Sequence, residues 1–196
     1  SLGAPDPANP YRSPTDQRPA DLVTLREWST MEGNFLIGVH DAKPDPRDAA
    51  ARTIVVWVES PTGVQLAIDT LRCSPEAPMR LTRKGSGLLI KELNPGGVIS
   101  EANRLDHQIW WAACFPEHAG KDPATLAAIA RQLGYSGQLR EQEQVLVTAL
   151  RHNARISVKT ADGAHHGTCM SVIFLFFSGA AGGGGRPGRE AQLLEL

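Results

Sequence analysis

The sequence predicts a single α+β domain: an antiparallel β-sheet built from hairpins, with an inserted helical hairpin and an N-terminal helix. The sheet is predicted because runs of β-branched residues alternate with turn-forming Pro, Gly, Asn and Asp. The helices are predicted because apolar residues recur every three or four positions near the N-terminus and again before the last strands. Parallel β-α-β units and internal repeats are not evident in the sequence.

The two ends of the chain differ in composition from its middle. Residues 1–19 carry closely spaced prolines, which exclude an α-helix and predict an extended arm. Residues 20–178 form the predicted domain. Residues 179–196 are predicted to be a flexible tail because they are rich in Gly.

The first elements of the domain are predicted to be a helix and a short strand. Leu22, Leu25 and Trp28 recur at near-helical spacing, which predicts a helix over residues 20–32. Residues 34–40 then predict a strand that leads into a charged loop.

Two hairpins follow this loop. Residues 53–59 and 64–70 flank a Ser-Pro-Thr-Gly turn, in which Pro fixes φ and Gly permits a positive φ. Residues 79–82 and 87–93 flank an Arg-Lys-Gly-Ser turn of the same kind. Both pairs therefore predict antiparallel strands.

The facial pattern of the strands predicts what must cover them. Leu66 and Ile68 alternate with Gln65 and Asp69, which predicts that the strand over residues 64–70 has one wet, polar face. Other strands are predicted to be apolar on both faces: 53–59, 107–115 and 172–177. These strands need a second cover, which is the N-terminal helix, a second sheet layer or another polypeptide.

A helical hairpin is predicted before the last two strands. Asp122 is suited to cap its first helix and Gly134 to end it, and Ser136 is suited to cap the second helix. The last hairpin is predicted over residues 155–160 and 166–177.

Composition and charge narrow the classes of partner. The 20 basic and 21 acidic residues give a formal net charge of −1, which argues against nucleic acid as a partner. Arg80, Arg83 and Lys84 form one small basic cluster. It could make a phosphate contact or two, but a solvated hairpin tip explains it equally well. No apolar stretch is long enough to predict a membrane span. The excess of Arg over Lys indicates a GC-rich genome.

The cysteines leave the compartment open. Cys73, Cys114 and Cys169 permit one bridge and one thiol, or three thiols. The sequence begins with Ser, so a removed signal peptide stays an open alternative. A soluble chain is expected, and secreted and cytoplasmic locations both fit it.

Cys and His residues suggest two kinds of chemistry. Cys114 with His118, and His165 with Cys169, have the residue types of a zinc site. A thiolate at Cys114, activated by His118 or His166, would make a Cys-His enzyme of the hydrolase or transferase type. Residues four apart on a strand are about 13 Å apart, which disfavours the metal. We predict no metal and no cofactor, because nucleotide-binding loops are also absent from the sequence.

A third alternative is a peptide-binding domain. Residues 87–98 read Gly-Leu-Leu-Ile-Lys-Glu-Leu-Asn-Pro-Gly-Gly-Val and resemble the strand and Pro-Gly-Gly turn of PDZ domains. Residues 122–134 stand where the groove helix of those domains would be. The resemblance implies a binder of peptide carboxyl termini over residues 86–134, although a Gly-Leu-Gly-Phe carboxylate loop is missing.

The function that the sequence favours is a non-catalytic protein–protein interaction module. We interpret it as a secreted or host-directed factor that self-associates, so that its partner is another protein or a second copy of itself. The binding residues are predicted to be Trp57, Trp110 and Trp111, because Trp is enriched at interface centres. Leu193 and Leu194 are added because an apolar, acidic segment after a Gly linker can dock in a groove.

Overall fold

Seven strands, joined in sequence order, form the main sheet of the part of the chain that the structure describes. The computed structural model describes residues 13–147, together with the backbone of residues 173–175 and 192–194. The strand bounds are β1 (Val23–Thr30), β2 (Gly33–Asp45), β3 (Asp48–Ser60), β4 (Gly63–Arg72), β5 (Met79–Lys84), β6 (Gly87–Glu92) and β7 (Gln142–Val147). The pairs from β1 to β6 are antiparallel, as predicted.

The chain divides into two compact units, residues 1–146 and residues 147–196. In the second unit, β8 (Ile173–Leu175) pairs antiparallel with β9 (Gln192–Leu194), and Ile173 lies opposite Leu194. The predicted strand over residues 155–160 and most of the predicted strand over 166–177 lie outside the described residues.

The two central hairpins are confirmed. In the β3–β4 hairpin, Ser60 lies opposite Gly63, whose φ is +149°. In the β5–β6 hairpin, Lys84 lies opposite Gly87, and Gly85 in the turn has a φ of +61°. Each turn therefore places Gly where a positive φ is required, as the turn composition predicted.

The predicted N-terminal helix over residues 20–32 is wrong, because these residues contain β1. The pairing of β1 with β2 shifts between Thr24 and Arg26, where β1 carries a bulge. A bulge inserts one extra residue and shifts the alternation of faces. The three-residue spacing of Leu25 and Trp28 therefore fits a bulged strand as well as a helix.

The described end of the arm is not extended either. Residues Pro14–Gln17 form a 3-10 helix, which begins after Ser13. The Ser13 Oγ accepts a hydrogen bond from the Asp16 amide at 3.4 Å. Proline fixes φ near the helical value, so it is tolerated in the first turn of a short helix.

The predicted strand over residues 107–115 is also wrong. This segment forms α1 (Arg104–Cys114), in which the run from Ile109 to Ala113 is buried throughout. A segment that is apolar on every side is compatible with a buried helix or a buried strand, and periodicity cannot separate them. Pro116 then follows directly after the capping residue Phe115, where a helix must end.

Only the first part of the predicted helical hairpin forms. Asp122 accepts a hydrogen bond from the Ala124 amide at 3.1 Å and caps a 3-10 helix (Pro123–Leu126), which continues as α2 (Ala127–Gln132). The second predicted helix is replaced by a loop and β7. The Ser136 side chain instead accepts a hydrogen bond from the Gln138 amide in a turn where Gly137 has a φ of +68°.

The helix α1 covers one face of the sheet and creates the core. Its buried residues contact strand residues that alternate along β2, β3 and β4, namely Val39, Ile54, Val56 and Leu71. Residues of the 3-10 helix before α2, of α2 and of the following turn complete the cluster, namely Leu126, Ala130 and Tyr135. We call this the helix-covered face, and the other side of the sheet the opposite face.

The assignment of faces on β4 is the reverse of the predicted one. Leu66 and Ile68 are 56% and 68% exposed, whereas Asp69 is fully buried on the helix-covered face. Asp69 can be buried because Arg80 on β5 donates to it at 2.7 Å. The side chain that carried the strongest polar signal is therefore in the core, paired with a charge of opposite sign.

Candidate functional site

The N-terminal arm, which we define as residues 13–22, contacts the opposite face of the sheet. Arg18 forms an ion pair with Glu59 on β3. The Asp21 carboxylate accepts a hydrogen bond from the Asp41 amide at 3.0 Å. Leu22 lies so close to Gly38 that a Cβ added there would be 2.8 Å from the Leu22 Cδ1 atom. The absence of a side chain at Gly38 therefore makes room for the arm.

Glu59 is the centre of this contact. Its carboxylate accepts hydrogen bonds from Arg18 Nε at 2.6 Å and Arg18 Nη2 at 2.9 Å, in a two-pronged geometry. The Trp57 Nε1 donates to the same carboxylate at 2.8 Å. The hydrogen bonds from Arg18 lower the pKa of Glu59 against the opposing effect of burial, and the Trp57 bond lowers this pKa further. Glu59 is therefore a buried, ionised acceptor.

An open groove of about 550 Å³ lies beside this ion pair. Its lining residues come from the arm, from the β1–β2 hairpin and from the end of β3: Pro14, Thr15, Arg18, Glu27, Trp28, Ser29, Asn34, Phe35, Leu36, Glu59, Ser60 and Pro61. The lining includes two carboxylates, Glu27 and Glu59, and one guanidinium, that of Arg18. We call this space the Glu59 groove, and it is the candidate binding site.

A second group of charges lies between the sheet and α1. Asp106 on α1 accepts hydrogen bonds from Arg80 Nη1 at 2.6 Å and from Lys91 Nζ at 2.9 Å. Arg80 also donates to Asp69, so these two carboxylates and two cations balance in charge. The carboxylates are 0% and 7% exposed. This network joins three strands to α1, so we interpret its role as stabilising the fold.

His107 and Glu141 form another buried pair. The His107 Nε2 and the Glu141 Oε1 are 2.5 Å apart, and His107 is fully buried. Burial raises the pKa of Glu141, but hydrogen bonds from His107, Asn103 and the Asn94 amide outweigh it and lower this pKa overall. A fully buried imidazole cannot touch a solute in this structure, so the pair fixes the loop before β7 against α1.

The cysteine predicted as a nucleophile and a metal ligand is in a disulfide. Cys114 is bonded to Cys73, with a Cα–Cα distance of 5.6 Å. The sulfur of Cys114 thus becomes a thiolate only after reduction. His118 lies nearby in a 3-10 helix and packs edge-on against Trp111.

The other two predicted metal ligands, His165 and Cys169, lie outside the described residues, as does His166, which was predicted as a base for Cys114. Within residues 13–147, no three side chains of His, Cys, Asp or Glu are arranged so that they could hold a metal ion.

The predicted binding tryptophans belong to the core. Trp110 and Trp111 are 0% and 1% exposed and lie on α1, and Trp57 is 3% exposed. Trp110 Nε1 donates to the Arg72 carbonyl at 2.9 Å, so it holds the sheet against the helix. A surface contact would need other residues.

The remaining predicted binding residues lie in the second unit. The backbones of Leu193 and Leu194 pair with Phe174 and Ile173 between β9 and β8. Their side chains lie outside the described part of the chain.

The strand that resembles a PDZ strand is β6. It lies between β5 and β7 in the sheet, so both of its backbone edges have neighbours. A peptide that adds to a sheet needs a free strand edge. The α-helix within residues 122–134, where the groove helix was expected, is α2, and it is six residues long.

Sequence reasoning missed Arg18 and Glu59. Glu59 ends a β-branched run and stands two residues after Trp57, so both side chains lie on the same face of β3. That spacing was the available signal for a Trp–carboxylate bond. No local pattern links Glu59 to Arg18, which is 41 residues away.

Comparisons with known proteins give no relative from which a function could be transferred. A scan against protein-family models, a search of curated proteins and a search of solved structures each return no match to this chain. In the described residues, no helix is both long enough and apolar enough to cross a membrane.

Proposed function

We propose that this chain is a non-catalytic protein-interaction module of an oxidising compartment, and that the Glu59 groove is its binding surface. The observation that carries the proposal is the groove itself: an open space of about 550 Å³ whose charged lining is supplied by the arm and the sheet. Pockets that bind small molecules are commonly about 300–1,000 Å³ in volume, so the groove is large enough to hold part of a ligand.

The state of the buried ionisable groups supports a binding function over a catalytic one. Asp69, Asp106 and Glu59 each accept hydrogen bonds from an Arg or Lys, and His107 lies against Glu141. A general acid or base must come within hydrogen-bond distance of its substrate. In these four residues the charge is used to hold strands, helix and arm together.

The disulfide supports the oxidising compartment. Bridges persist in secreted, periplasmic and cell-surface proteins and are rare in the cytosol. The bridge joins Cys73, just after β4, to the last residue of α1, so it fastens the helix to the sheet. A secreted location, one of the two that the sequence left open, is the location that we propose.

Selection of peptides on the folded chain tests the binding function. A displayed library of random peptides is selected against the oxidised wild-type chain, and the enriched peptides are measured on three variants. Glu27→Gln removes one charge from the groove lining without changing its shape. Glu101→Gln is the matched control, because this side chain is 87% exposed in the turn before α1. Ile68→Ala alters the exposed apolar strip of β4, away from the groove.

The expected result is that enriched peptides compete with one another and lose at least about threefold in affinity on Glu27→Gln, as for a surface charge worth about 0.6 kcal/mol. Their affinity for Glu101→Gln and Ile68→Ala is expected to be unchanged. The proposal is overturned if no peptide is enriched, or if the enriched peptides bind all three variants as they bind the wild type.

A further inference from the structure

The two partners of the Arg18–Glu59 ion pair belong to different kinds of element: Glu59 lies on a strand, and Arg18 lies in the arm. Glu59 is fixed on β3, in the second-last pair of the β3–β4 ladder before the turn, and its side chain is 7% exposed. Arg18 belongs to the arm, and its side chain is 34% exposed. The buried half of the pair is therefore part of the rigid sheet, whereas the guanidinium enters from outside it.

The arm holds its own conformation by local bonds. Ser13 Oγ donates to the Asp16 carboxylate at 2.8 Å, and the backbone bonds of the 3-10 helix span three residues. The turn that follows is closed by a bond from the Leu22 amide to the Pro19 carbonyl at 3.2 Å. These bonds do not involve the sheet, so they do not depend on whether Arg18 is seated on Glu59.

The charges of the groove favour a guanidinium. Glu59 supplies two oxygens in the spacing that a guanidinium fork fills, and Glu27 also attracts Arg18 electrostatically. Two lining carboxylates face one lining cation. Arginine recognises such a site through paired, directional hydrogen bonds, whereas lysine offers a single point charge.

Resting on the proposed function, we propose that the Glu59 groove binds a peptide segment that carries an arginine, and that Arg18 occupies this guanidinium site until such a segment displaces it. The arm is then the built-in competitor of the ligand. The ligand's arginine makes the same two hydrogen bonds to Glu59 that Arg18 makes, and Trp57 keeps its bond to the carboxylate.

Competition in the same chain sets the expected size of the effect. Arg18 is tethered to the site and so competes at an effective concentration of the order of millimolar. The apparent affinity of a ligand equals its intrinsic affinity multiplied by the fraction of time that Arg18 leaves the site open. Removing the guanidinium of Arg18 should therefore tighten binding of an arginine peptide. We expect at least about a tenfold gain, which corresponds to about 1.4 kcal/mol, the order of one charged hydrogen bond.

The test uses the full chain and a probe taken from its own sequence. The probe is a fluorescent peptide, Ser-Pro-Thr-Asp-Gln-Arg-Pro, which copies residues 13–19. A second probe has glutamine in place of the arginine. Both are titrated by fluorescence anisotropy against the wild type, Arg18→Gln, Arg18→Lys, Glu59→Gln and Arg47→Gln. Arg47 is the matched control, because it pairs with the buried carboxylate of Asp45 outside the groove.

The proposal expects a graded result. The arginine probe should bind Arg18→Gln at least about tenfold more tightly than the wild type, with Arg18→Lys in between. It should bind Arg47→Gln as it binds the wild type, and it should not bind Glu59→Gln, which keeps an acceptor for Trp57. The glutamine probe should bind none of them.

Three outcomes would overturn the proposal: no gain on Arg18→Gln while its thermal melt is that of a folded chain, equal binding of the two probes, or an equal gain on Arg47→Gln. If Arg18→Gln does not fold, Arg18→Lys decides in the same way. Peptides selected on the groove that show no arginine preference would overturn this inference and leave the proposed function standing.

Mixing the variants Arg18→Gln and Glu59→Gln tests whether a second copy of the chain can supply the arginine. Arg18→Gln retains Glu59, and Glu59→Gln retains Arg18, so only a mixed pair can form the ion pair. A heterodimer in light scattering, seen with the mixture and with neither variant alone, supports the proposal with a second copy as the ligand.

Discussion

The loss in free energy of unfolding that follows removal of the disulfide can be estimated from the positions of the two cysteines. Cys73 and Cys114 are 41 residues apart and close a loop that contains β5, β6 and most of α1. In the chain-entropy model, a loop of this length removes about 4 kcal/mol of unfolded-state freedom. Domains commonly have unfolding free energies of about 5–15 kcal/mol, so this single bond supplies a large part of the stability.

Urea unfolding of three samples measures this contribution. The oxidised wild type is compared with the same chain in excess dithiothreitol and with Cys73→Ala/Cys114→Ala. For a slope of about 2 kcal/mol/M, the expected fall of the unfolding midpoint is about 2 M. Cys169→Ala is the control, because it removes the third cysteine and leaves the bridge intact, so its midpoint should stay unchanged.

The reduced wild type and the double variant must agree for the reasoning to hold. Reduction keeps both sulfur atoms in place, whereas the double variant removes them, so agreement assigns the loss to the bond and not to packing. A reduced chain that unfolds at the midpoint of the oxidised chain would refute the entropic estimate.

Three further predictions concern charge, ionisation and packing. Asp106→Asn should cost about 3–5 kcal/mol in urea unfolding, because it breaks a buried charge network; Asp41→Asn, an exposed ion-pair residue, should cost less than about 1 kcal/mol, and equal losses would contradict this ranking. Burial raises the pKa of Tyr135 to about 12, so the neutral phenol favours the folded chain. This contribution is complete below about pH 10 and is lost as the pH rises to about 12; two tyrosines that both titrate near 10 in ultraviolet absorbance would disprove it. Gly38→Ala should lower stability by about 1–3 kcal/mol, since the new Cβ would meet Leu22, and an unchanged midpoint would show that the arm does not pack there.

The hairpins could be predicted from the sequence because their signals are local. The turn after Ser60 and the turn containing Gly85 specify the pairing of four strands through residues adjacent in the chain. The cap at Asp122 is local in the same sense, and it forms as predicted. In each case a few neighbouring residues determine the backbone conformation.

The helices were mispredicted where tertiary contacts decide. The run from Ile109 to Ala113 is apolar on all sides, and only its burial between the sheet and the residues around α2 makes it a helix. The near-helical spacing of Leu25 and Trp28 is also compatible with a strand that carries a bulge, and the bulge depends on pairing with β2. Periodicity alone does not contain either fact.

The candidate site was missed because it is made of distant polar residues. Asp69 was predicted to face water, but a carboxylate can enter the core when Arg80 neutralises it. Glu59 is buried for the same reason, through Arg18. A sequence shows that these residues are charged, and it does not show which of them will meet.

Asp106 and Glu59 are both buried carboxylates that meet an arginine, but they differ in what their partners can do. Asp106 is paired with Arg80 and Lys91, which lie on strands inside the sheet, so the network separates only if the sheet and helix separate. Glu59 is paired with a residue of the arm, which keeps its turn by local bonds and can leave without breaking the hairpin ladder. Of these two sites, the Glu59 site is the one at which we expect the arginine to exchange at a cost below that of unfolding. An exchangeable partner on a fixed carboxylate is what a recognition site requires, and for that reason we propose the Glu59 groove as the binding site.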